Sequence, residues 1–258
     1  WDRGLRPGDH IAIFMENNAR YLEIAWAALR SGLYFTTVNS YLTADEVAYI
    51  VHDCEAQAFI TSKKLSEIAT AVISDTPRVH TRLMVGGTTT GAGGLDWEPF
   101  EETIAKCPAE PLEDEPLGDF MLYSSGTTGK PKGIKRAPSQ GMARDGVALA
   151  GMLGGLFQFN KDSIYLSPAP LYHSAPIGFS PAVQSIGGTV VVMENFDAAK
   201  SLEAIERYRC NRSQWVPTMF VRMLKLPEKE RKRHDLSSME LAIHAAAPCP
   251  VEVKQQMM

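Results

Sequence analysis

Cysteine is scarce in this sequence, and its few copies are not placed to bind a metal. Four cysteines lie far apart among 258 residues, with no C-x-x-C pair and no histidine cluster beside them. They are Cys54, Cys107, Cys210 and Cys249. This spacing argues against a zinc site and against a disulfide framework, and it suits a reducing compartment. We therefore expect a cytoplasmic protein.

Long uninterrupted apolar runs are also missing. Residues 163–193 contain no Asp, Glu, Lys or Arg, but four prolines interrupt the segment, together with Gly178, Gly187 and Gly188. A membrane-spanning helix needs about 20 predominantly apolar residues, and proline breaks a helix interior. We therefore interpret 163–193 as buried core and expect no integral membrane segment.

Charge of one sign is not in excess. Lys and Arg total 26 and Asp and Glu total 30, which gives a formal net charge of −4. The densest basic run, KERKR at 229–233, is interpreted as a solvated helix face. No general affinity for nucleic acids or anionic membranes is indicated.

The most informative segment is MLYSSGTTGKPKGIK, residues 121–135. The apolar residues 120–123 predict a strand, and serines, threonines, glycines and lysines fill the following positions. Glycines let backbone N–H groups approach phosphate oxygens, hydroxyls add donors, and lysines add positive charge. The segment therefore predicts a loop that binds a nucleotide or another phosphate.

Two familiar nucleotide loops do not fit this segment. A Walker-type loop ends in G-K-[ST] before a helix, whereas Lys130 is followed by Pro131. The dinucleotide pattern G-x-G-x-x-G is absent. A solvated turn between two strands is the alternative, but it does not explain two lysines on either side of a proline. The glycine-rich segment 86–94 has no basic residue and no helix start close behind it, so we interpret it as a loop.

SSGTTGKPKG at 124–133 resembles the core motif of the AMP-forming adenylating enzymes, which include the acyl-CoA synthetases. Four further segments resemble this superfamily in the same order along the chain. They are 5–62, PAPLYHSAPIGFS at 168–180, WVPTMFVRML at 215–224 and DLSSMELAIHAAAPCPVEV at 235–253. We therefore expect a fatty-acyl-CoA ligase-like protein, represented by part of its N-terminal domain.

Apolar runs alternate with helical patterns, which predicts an α/β fold with largely parallel sheets. The predicted strands are 10–15, 34–38, 57–61, 82–85, 163–166, 189–193, 214–216 and 241–244. Predicted helices include 18–29 before Gly32, a helix after Thr43 with a capping box to Glu46, and 140–155. The resemblance implies the superfamily's large N-terminal domain, with stacked, helix-flanked sheets, incomplete here. We expect one α/β subdomain over 1–155 and a second, incomplete one over 156–258.

The resemblance implies an enzyme that joins a carboxylic acid to AMP and then transfers the acyl group to coenzyme A. ATP and Mg²⁺ are the expected ligands of the loop. The residues expected around the phosphates are Ser124, Ser125, Gly126, Thr127, Thr128 and Gly129. Lys130 and Lys132 are expected to supply positive charge, and Thr127 to reach Mg²⁺. Thr127 and Lys130 are thus expected catalytic residues.

Two later segments resemble substrate-side motifs. His173 is expected at the mouth of the acyl pocket as a third catalytic residue, and a structural histidine is the alternative. Either an apolar acyl tunnel or ordinary core packing accounts for Tyr172, Ala175, Ile177 and Phe179. The segment expected beside the adenine is Ala245, Ala246, Ala247 and Pro248, with alanines where two glycines are common in the superfamily.

Some elements that the resemblance implies do not occur in these 258 residues. They are a Thr-Glu metal-binding segment, a ribose-binding Asp, a hinge and a C-terminal domain with a catalytic Lys. We therefore expect this chain by itself not to complete adenylation. The expected substrate is a fatty or aromatic carboxylic acid, with no nucleic-acid partner, and oligomers are compatible with the sequence. Two other functions stay open: a non-catalytic ATP-binding or scaffold protein, and an adenylation domain that loads a carrier protein.

Overall fold

Strands and helices alternate along the chain, as the apolar pattern predicts. The computed structural model describes residues 1–88, 97–124, 130–137 and 141–257, and the chain divides into two units, Trp1–Gly146 and Val147–Met258. Along the chain, the two units meet between Gly146 and Val147, just before the helix Ala148–Phe157, which contains the predicted boundary residue 155. The predicted boundary between 1–155 and 156–258, which concerns the superfamily's subdomains, stays a prediction.

The first unit is built on a parallel sheet. Its elements are β1 (His10–Phe14), α1 (Tyr21–Arg30), β2 (Tyr34–Thr37), α2 (Ala44–Asp53), β3 (Ala58–Ser62), α3 (Ser66–Ala71), β4 (Thr81–Val85), β5 (Glu98–Pro99), α4 (Phe100–Ile104), β6 (Asp119–Phe120), β7 (Leu122–Ser124) and β8 (Lys132–Ile134). Short 3-10 helices occur at Lys63–Leu65 and Ala143–Asp145. The strand order is β5-β4-β3-β1-β2-β6, and all these pairs are parallel. Because β1, β2 and β3 are buried along their whole length, apolar and β-branched residues dominate them.

An aromatic cluster packs against the central strands of this sheet. The Phe59 ring on β3 lies 6.4 Å from the Phe14 ring and 5.6 Å from the Trp97 ring, measured between centroids. All three side chains are buried. Since burying one side chain of this size contributes about 3 kcal/mol, the cluster is a major source of stability for β1 and β3.

The strand predicted at 120–123 is two strands, which corrects the sequence-based prediction. Phe120 belongs to β6 of the parallel sheet, whereas Leu122 and Tyr123 belong to β7, which pairs antiparallel with β8. The break falls at Met121, whose side chain is buried beneath Gly133. A Cβ atom on Gly133 would lie 2.2 Å from Met121 Cε, so this close approach requires glycine.

The second unit is also built on a parallel sheet. Its elements are α5 (Ala148–Phe157), β9 (Ile164–Ser167), α6 (Ser174–Ser185), β10 (Thr189–Val192), α7 (Ala198–Tyr208), β11 (Arg212–Trp215), α8 (Pro217–Leu224), α9 (Glu228–Arg231), β12 (Leu241–His244) and α10 (Val251–Met257). The strand order is β10-β9-β11-β12, with every pair parallel. The carboxyl ends of β9, β11 and β12 therefore lie at one edge of the sheet.

Several predicted helix ends are confirmed. The backbone N–H and hydroxyl of Thr43 donate to the Glu46 carboxylate at 2.9 and 2.8 Å, which closes the predicted capping box at the start of α2. Gly32 follows α1 with a φ of +71°, where L side chains are strained. The helix predicted over 140–155 begins later, at Ala148, because a 3-10 turn and Gly146 with a φ of +77° precede it.

Parallel sheets with intervening helices in both units confirm the predicted α/β fold class. The segment 163–193, predicted as core, contains β9 and α6, most of whose residues are buried. Within the part of the chain that the structure describes, no helix is long and apolar enough to cross a membrane. The face-to-face stacking of the two sheets stays a prediction.

Candidate functional site

The motif segment connects the two strands of the antiparallel pair β7–β8. Ser124 ends β7, Lys132 begins β8, and the two residues lie opposite each other in the register. Between them, Ser125, Gly126, Thr127, Thr128 and Gly129 lie outside the described residues. Their expected roles around phosphate and Mg²⁺ stay predictions.

Lys130 and Lys132 lie where the loop leads into β8. Both residues are exposed. The Lys130 Nζ atom lies 4.9 Å from the centroid of the Tyr49 ring on α2. A cation at this distance is attracted by the negative face of the aromatic ring. Two positive charges therefore stand at one end of the loop, as phosphate binding requires.

Two side chains of α2 contact the antiparallel pair. The Tyr49 hydroxyl donates to the Pro131 carbonyl oxygen at 3.1 Å, and the Tyr123 hydroxyl donates to an Asp53 carboxylate oxygen at 2.5 Å. Burial, and then the hydrogen bond to Asp53, raise the pKa of Tyr123 above its ordinary value, so its hydroxyl stays a neutral donor. Sequence reasoning missed these residues because the partners are 82 and 70 positions apart and no local pattern connects them.

The basic residues after β8 contact the parallel sheet. The Lys135 Nζ atom lies 4.4 Å from the Tyr34 ring centroid, and the Arg136 guanidinium lies 4.5 Å from the Phe120 ring centroid. The Tyr34 hydroxyl donates to the Arg136 carbonyl oxygen at 2.8 Å. These contacts hold the chain after β8 on strands β2 and β6.

The second unit places its two predicted site segments at the same edge of its sheet. His173 follows β9, and the segment 245–248 follows β12; β11 lies between these strands. In open parallel sheets, ligands bind beyond the carboxyl ends of the strands, next to the point where the strand order reverses. Here the order reverses at β9, because β10 lies on one side of it and β11 on the other. The topology thus supports a binding role for the segment with His173, which follows β9, whereas β11 separates β12 and the segment 245–248 from the reversal.

His173 precedes the first residue of α6. Its ring centroid lies 4.4 Å from that of Tyr172, and its backbone N–H donates to the Pro170 carbonyl oxygen at 3.2 Å. Although the residue is exposed, partial desolvation lowers the pKa of its imidazole below the ordinary value. A neutral ring at physiological pH is able to accept a proton or a hydrogen bond. Its catalytic role stays a prediction.

Of the residues considered for an acyl tunnel, Ile177 is buried and Phe179 is partly buried against the core. The Phe179 ring stacks on Tyr165 with a centroid distance of 6.1 Å. Phe179 also meets the Phe159 ring edge-on at 6.5 Å. Both residues are thus packed against neighbouring side chains, and the acyl tunnel stays a prediction.

The segment expected beside the adenine keeps a glycine-like backbone without glycine. The Ala245 N–H donates to the Trp215 carbonyl oxygen at 3.1 Å, which extends the pairing of β12 with β11. Ala246 then adopts a φ of +73°, in the left-handed region. That conformation costs a residue with a Cβ atom about 1–2 kcal/mol. Ala247 and Pro248 follow at the surface.

The described side chains fit a polyanion better than an isolated metal ion. Among residues 1–88, 97–124, 130–137 and 141–257, no three or more His, Cys, Asp and Glu side chains group to hold a metal. Mg²⁺ prefers oxygen ligands and often binds through substrate phosphates. Lys130 and Lys132 offer the positive charge that a triphosphate needs, and the expected Mg²⁺ ligand, Thr127, lies outside the described residues.

Comparison with known proteins identifies the family. The motif predicts the fold of the adenylating enzymes. The sequence model of the AMP-binding enzyme family matches residues 2–258 of this chain. The chain belongs to this family. It is 30% identical over 276 residues to 4-coumarate–CoA ligase-like 6 of Oryza sativa subsp. japonica, covering 98% of this chain and 43% of that protein. It is 28% identical to feruloyl-CoA synthase of Amycolatopsis sp, covering 97% of this chain and 46% of that protein.

A solved structure shows the same fold. The long-chain-fatty-acid-CoA ligase FadD1 of Archaeoglobus fulgidus superposes with a TM-score of 0.84 at 23% identity, covering 99% of this chain and 49% of that chain. The chain spans about half the length of the curated relatives it matches. The superfamily and the N-terminal-domain fold inferred from the motif are thereby confirmed.

Proposed function

We propose that this chain belongs to an acid–thiol ligase that activates a carboxylic acid with ATP and transfers the acyl group to coenzyme A. The observation that carries the proposal is the motif 124–133, with Lys130 and Lys132 exposed at the end of its loop, in a member of the AMP-binding enzyme family. The proposal assigns the triphosphate to this loop.

The chemistry explains the need for these residues. In the first step a carboxylate oxygen attacks the α-phosphorus of ATP, the acyl-adenylate forms, and pyrophosphate leaves. In the second step the thiol of coenzyme A attacks the acyl carbon and AMP leaves. Because both reactants of the first step are anions, the protein must reduce their repulsion and align them. Lys130 and Lys132 supply positive charge to the phosphates, and Thr127 would help hold Mg²⁺, which would supply further positive charge.

In this proposal, the second unit recognises the carboxylic acid and the adenine of ATP. The segment 245–248 lies beside the adenine, and His173 lies beside the carboxylic acid. Two relatives are named for aromatic acids, a 4-coumarate–CoA ligase-like protein and a feruloyl-CoA synthase. We therefore propose an aromatic or fatty carboxylic acid as the substrate class.

ATP–pyrophosphate exchange tests this function. The assay uses labelled pyrophosphate, MgATP and a panel of fatty and hydroxycinnamic acids, on the chain as given and on any longer protein that contains it. We expect acid-dependent exchange from the longer protein and none from the chain alone, because the superfamily's later elements complete the site. Exchange followed by transfer to a carrier protein instead of coenzyme A would identify a carrier-loading domain.

Two lysine variants make the test specific. Lys130→Met with Lys132→Met removes two charged donors, each worth about 1.5–3 kcal/mol, and should lower exchange about 100-fold or more. Lys161→Met with Lys229→Met removes two exposed lysines of the second unit and should leave exchange unchanged. If the first pair also left exchange unchanged, the loop would not serve the triphosphate. ATP binding without exchange for any acid would favour the non-catalytic function.

A further inference from the structure

Helix α2 carries two side chains that contact the strands on either side of the motif loop. Tyr49 and Asp53 are four positions apart, so they project from the same face of the helix. Tyr49 reaches Pro131, just before β8, and Asp53 reaches Tyr123, in the middle of β7. We call Tyr49 and Asp53 the α2 anchor. One helix therefore holds both ends of the loop.

Beyond the α2 anchor, the pair is held by the contacts of Lys135 and Arg136 after β8 and by the packing of Met121 and Tyr123 on the core, but the pair itself is short. Each strand is three residues long, and every residue of β8 is exposed. An isolated two-stranded pair of this kind is marginally stable in water at best. Its packing depends on Met121 and Tyr123, which lie within 3 Å of the Cβ position of Gly133. Polar contacts to a firm neighbouring element are thus needed to define where the loop begins and ends.

Helix α2 is suited to be that element. Its residues Val47, Ile50 and Val51 are buried in the core of the first unit, and the capping box closes its first turn. The contacts at Tyr49 and Asp53 therefore attach the pair β7–β8 to a helix that is packed into the core of the first unit.

The contact between Tyr49 and Lys130 links the α2 anchor to a lysine that is proposed to bind phosphate. The Tyr49 ring lies 4.9 Å from the Lys130 Nζ atom, while its hydroxyl binds the carbonyl of the next residue, Pro131. One side chain thus contacts both the backbone and the charged group at the end of the loop. A long lysine side chain loses considerable rotamer entropy when a ligand orders it, and a ring that already restrains it reduces this cost.

We propose that Tyr49 and Asp53 are positioning residues for the ATP-binding loop. The inference rests on the proposed function. Asp53 fixes β7 through the Tyr123 hydroxyl, and Tyr49 fixes the start of β8 and orients Lys130. Neither residue needs to touch the nucleotide; each holds a described residue at one end of the loop, Tyr123 on one side and Lys130 and Pro131 on the other.

Hydrogen–deuterium exchange, measured without nucleotide, tests whether the hydrogen bond between Asp53 and Tyr123 holds β7 in place. Asp53→Ala and Tyr123→Phe should raise the uptake of the peptide covering 120–136, because each removes the same hydrogen bond. Asp53→Asn should restore near wild-type uptake, since its amide oxygen still accepts from Tyr123. Asp45→Ala is the matched control, because it removes an exposed carboxylate from the first turn of the same helix. Unchanged uptake in Asp53→Ala and Tyr123→Phe would overturn the anchor.

ATP affinity tests the functional part; it is measured on the longer protein that contains this chain, by competition of ATP against a fluorescent ATP analogue. Tyr49→Phe keeps the ring and loses one hydrogen bond, so we expect ATP affinity to fall about threefold. Tyr49→Leu loses the ring as well, and we expect a fall of about tenfold. In a Lys130→Met background the additional loss caused by Tyr49→Leu should shrink to about that of Tyr49→Phe, since the ring then has no cation to orient. Tyr41→Phe, at an exposed tyrosine, is the control.

The outcomes separate this inference from the proposed function. If wild type binds ATP and the Tyr49 variants bind it equally well, the positioning role is wrong and the function stands. If the losses of ATP affinity caused by Tyr49→Leu and by Lys130→Met were fully additive, Tyr49 would not act through Lys130. If wild type binds no ATP while the uptake of 120–136 responds to Asp53→Ala, the proposed function fails, and the anchor is a structural contact only.

Discussion

The antiparallel pair β7–β8 and the carboxyl edge of the second sheet carry the two groups of predicted site residues, and they are held in different ways. Contacts with distant side chains hold the pair, whose strand β8 is entirely exposed. At the second edge, β9 and β11 are mostly buried, whereas β12, which leads into 245–248, is only partly buried. A site held by packing tolerates loss of one polar contact, whereas a site held by a few polar and cation–π contacts does not.

The energetic scale of the two regions differs accordingly. Trp215, at the end of β11, is buried against Phe196 and Phe220, and its indole N–H donates to Ser213 at 2.6 Å. Beside the motif loop, Tyr49 and Asp53 contribute single hydrogen bonds worth about 1 kcal/mol each. The end of β11 is therefore held mainly by packing, whereas Tyr49 and Asp53 hold the residues beside the loop through single polar contacts.

The largest expected effect is at the second edge. Trp215→Ala leaves a large cavity and removes the hydrogen bond to Ser213, and it should lower the free energy of unfolding by about 3–5 kcal/mol. Chemical denaturation of the purified chain measures this. Trp1→Ala, at a tryptophan that is 43% exposed, should cost less than about 1 kcal/mol. Equal losses at both positions would contradict the view that packing defines this edge.

The next effect is a pH dependence near the antiparallel pair. His10 is buried, stacks on Tyr34 at 4.8 Å and has an Nδ1 atom without a hydrogen-bond partner among the described residues. Burial, and then the charge of Lys135, lower the pKa of His10 from 6.5 to about 4. The unfolded chain thus binds a proton at a higher pH than the folded chain does. Stability should be complete above pH 6.5 and fall as the pH drops from 6.5 towards 4.

His10→Phe tests this dependence because it keeps the stacking on Tyr34 and removes the titrating group. The free energy of unfolding of the wild type should fall by about 1–3 kcal/mol more than that of His10→Phe over this pH range. His52→Phe, at an exposed histidine on α2, should keep the wild-type slope. The same slope for wild type and His10→Phe would assign the effect to other groups.

The smallest expected effect is at Ala246. Ala246→Gly removes the Cβ atom from a residue with a φ of +73° and should stabilise the chain by about 0.5–1 kcal/mol. Ala247→Gly, at a neighbour outside the left-handed region, should be neutral or slightly destabilising. Thermal melts of both variants make the comparison. A loss of stability in Ala246→Gly would show that the backbone there is not strained.

Local patterns predicted much of the fold. Features that depend on neighbours within a few positions were located by sequence reasoning. They are the capping box of Thr43 and Glu46, Gly32 after α1, and the apolar runs of β1, β9 and β12. The break at Met121 was missed because it arises from the close approach of Gly133, twelve positions away. The motif predicted where Lys130 lies in the loop, but the ring of Tyr49 beneath it left no signal in the sequence.

The amino-acid sequence alone determined the family, the alternation of strands and helices, and the position of the loop with its two lysines, because these depend on residue types at short spacings. Only the tertiary structure decided that α2 contacts both ends of that loop, that Ile177 is buried, and that Ala246 adopts a left-handed backbone. Such features depend on which distant residues the sheets bring together, and a contact across 70 or 82 positions has no local pattern.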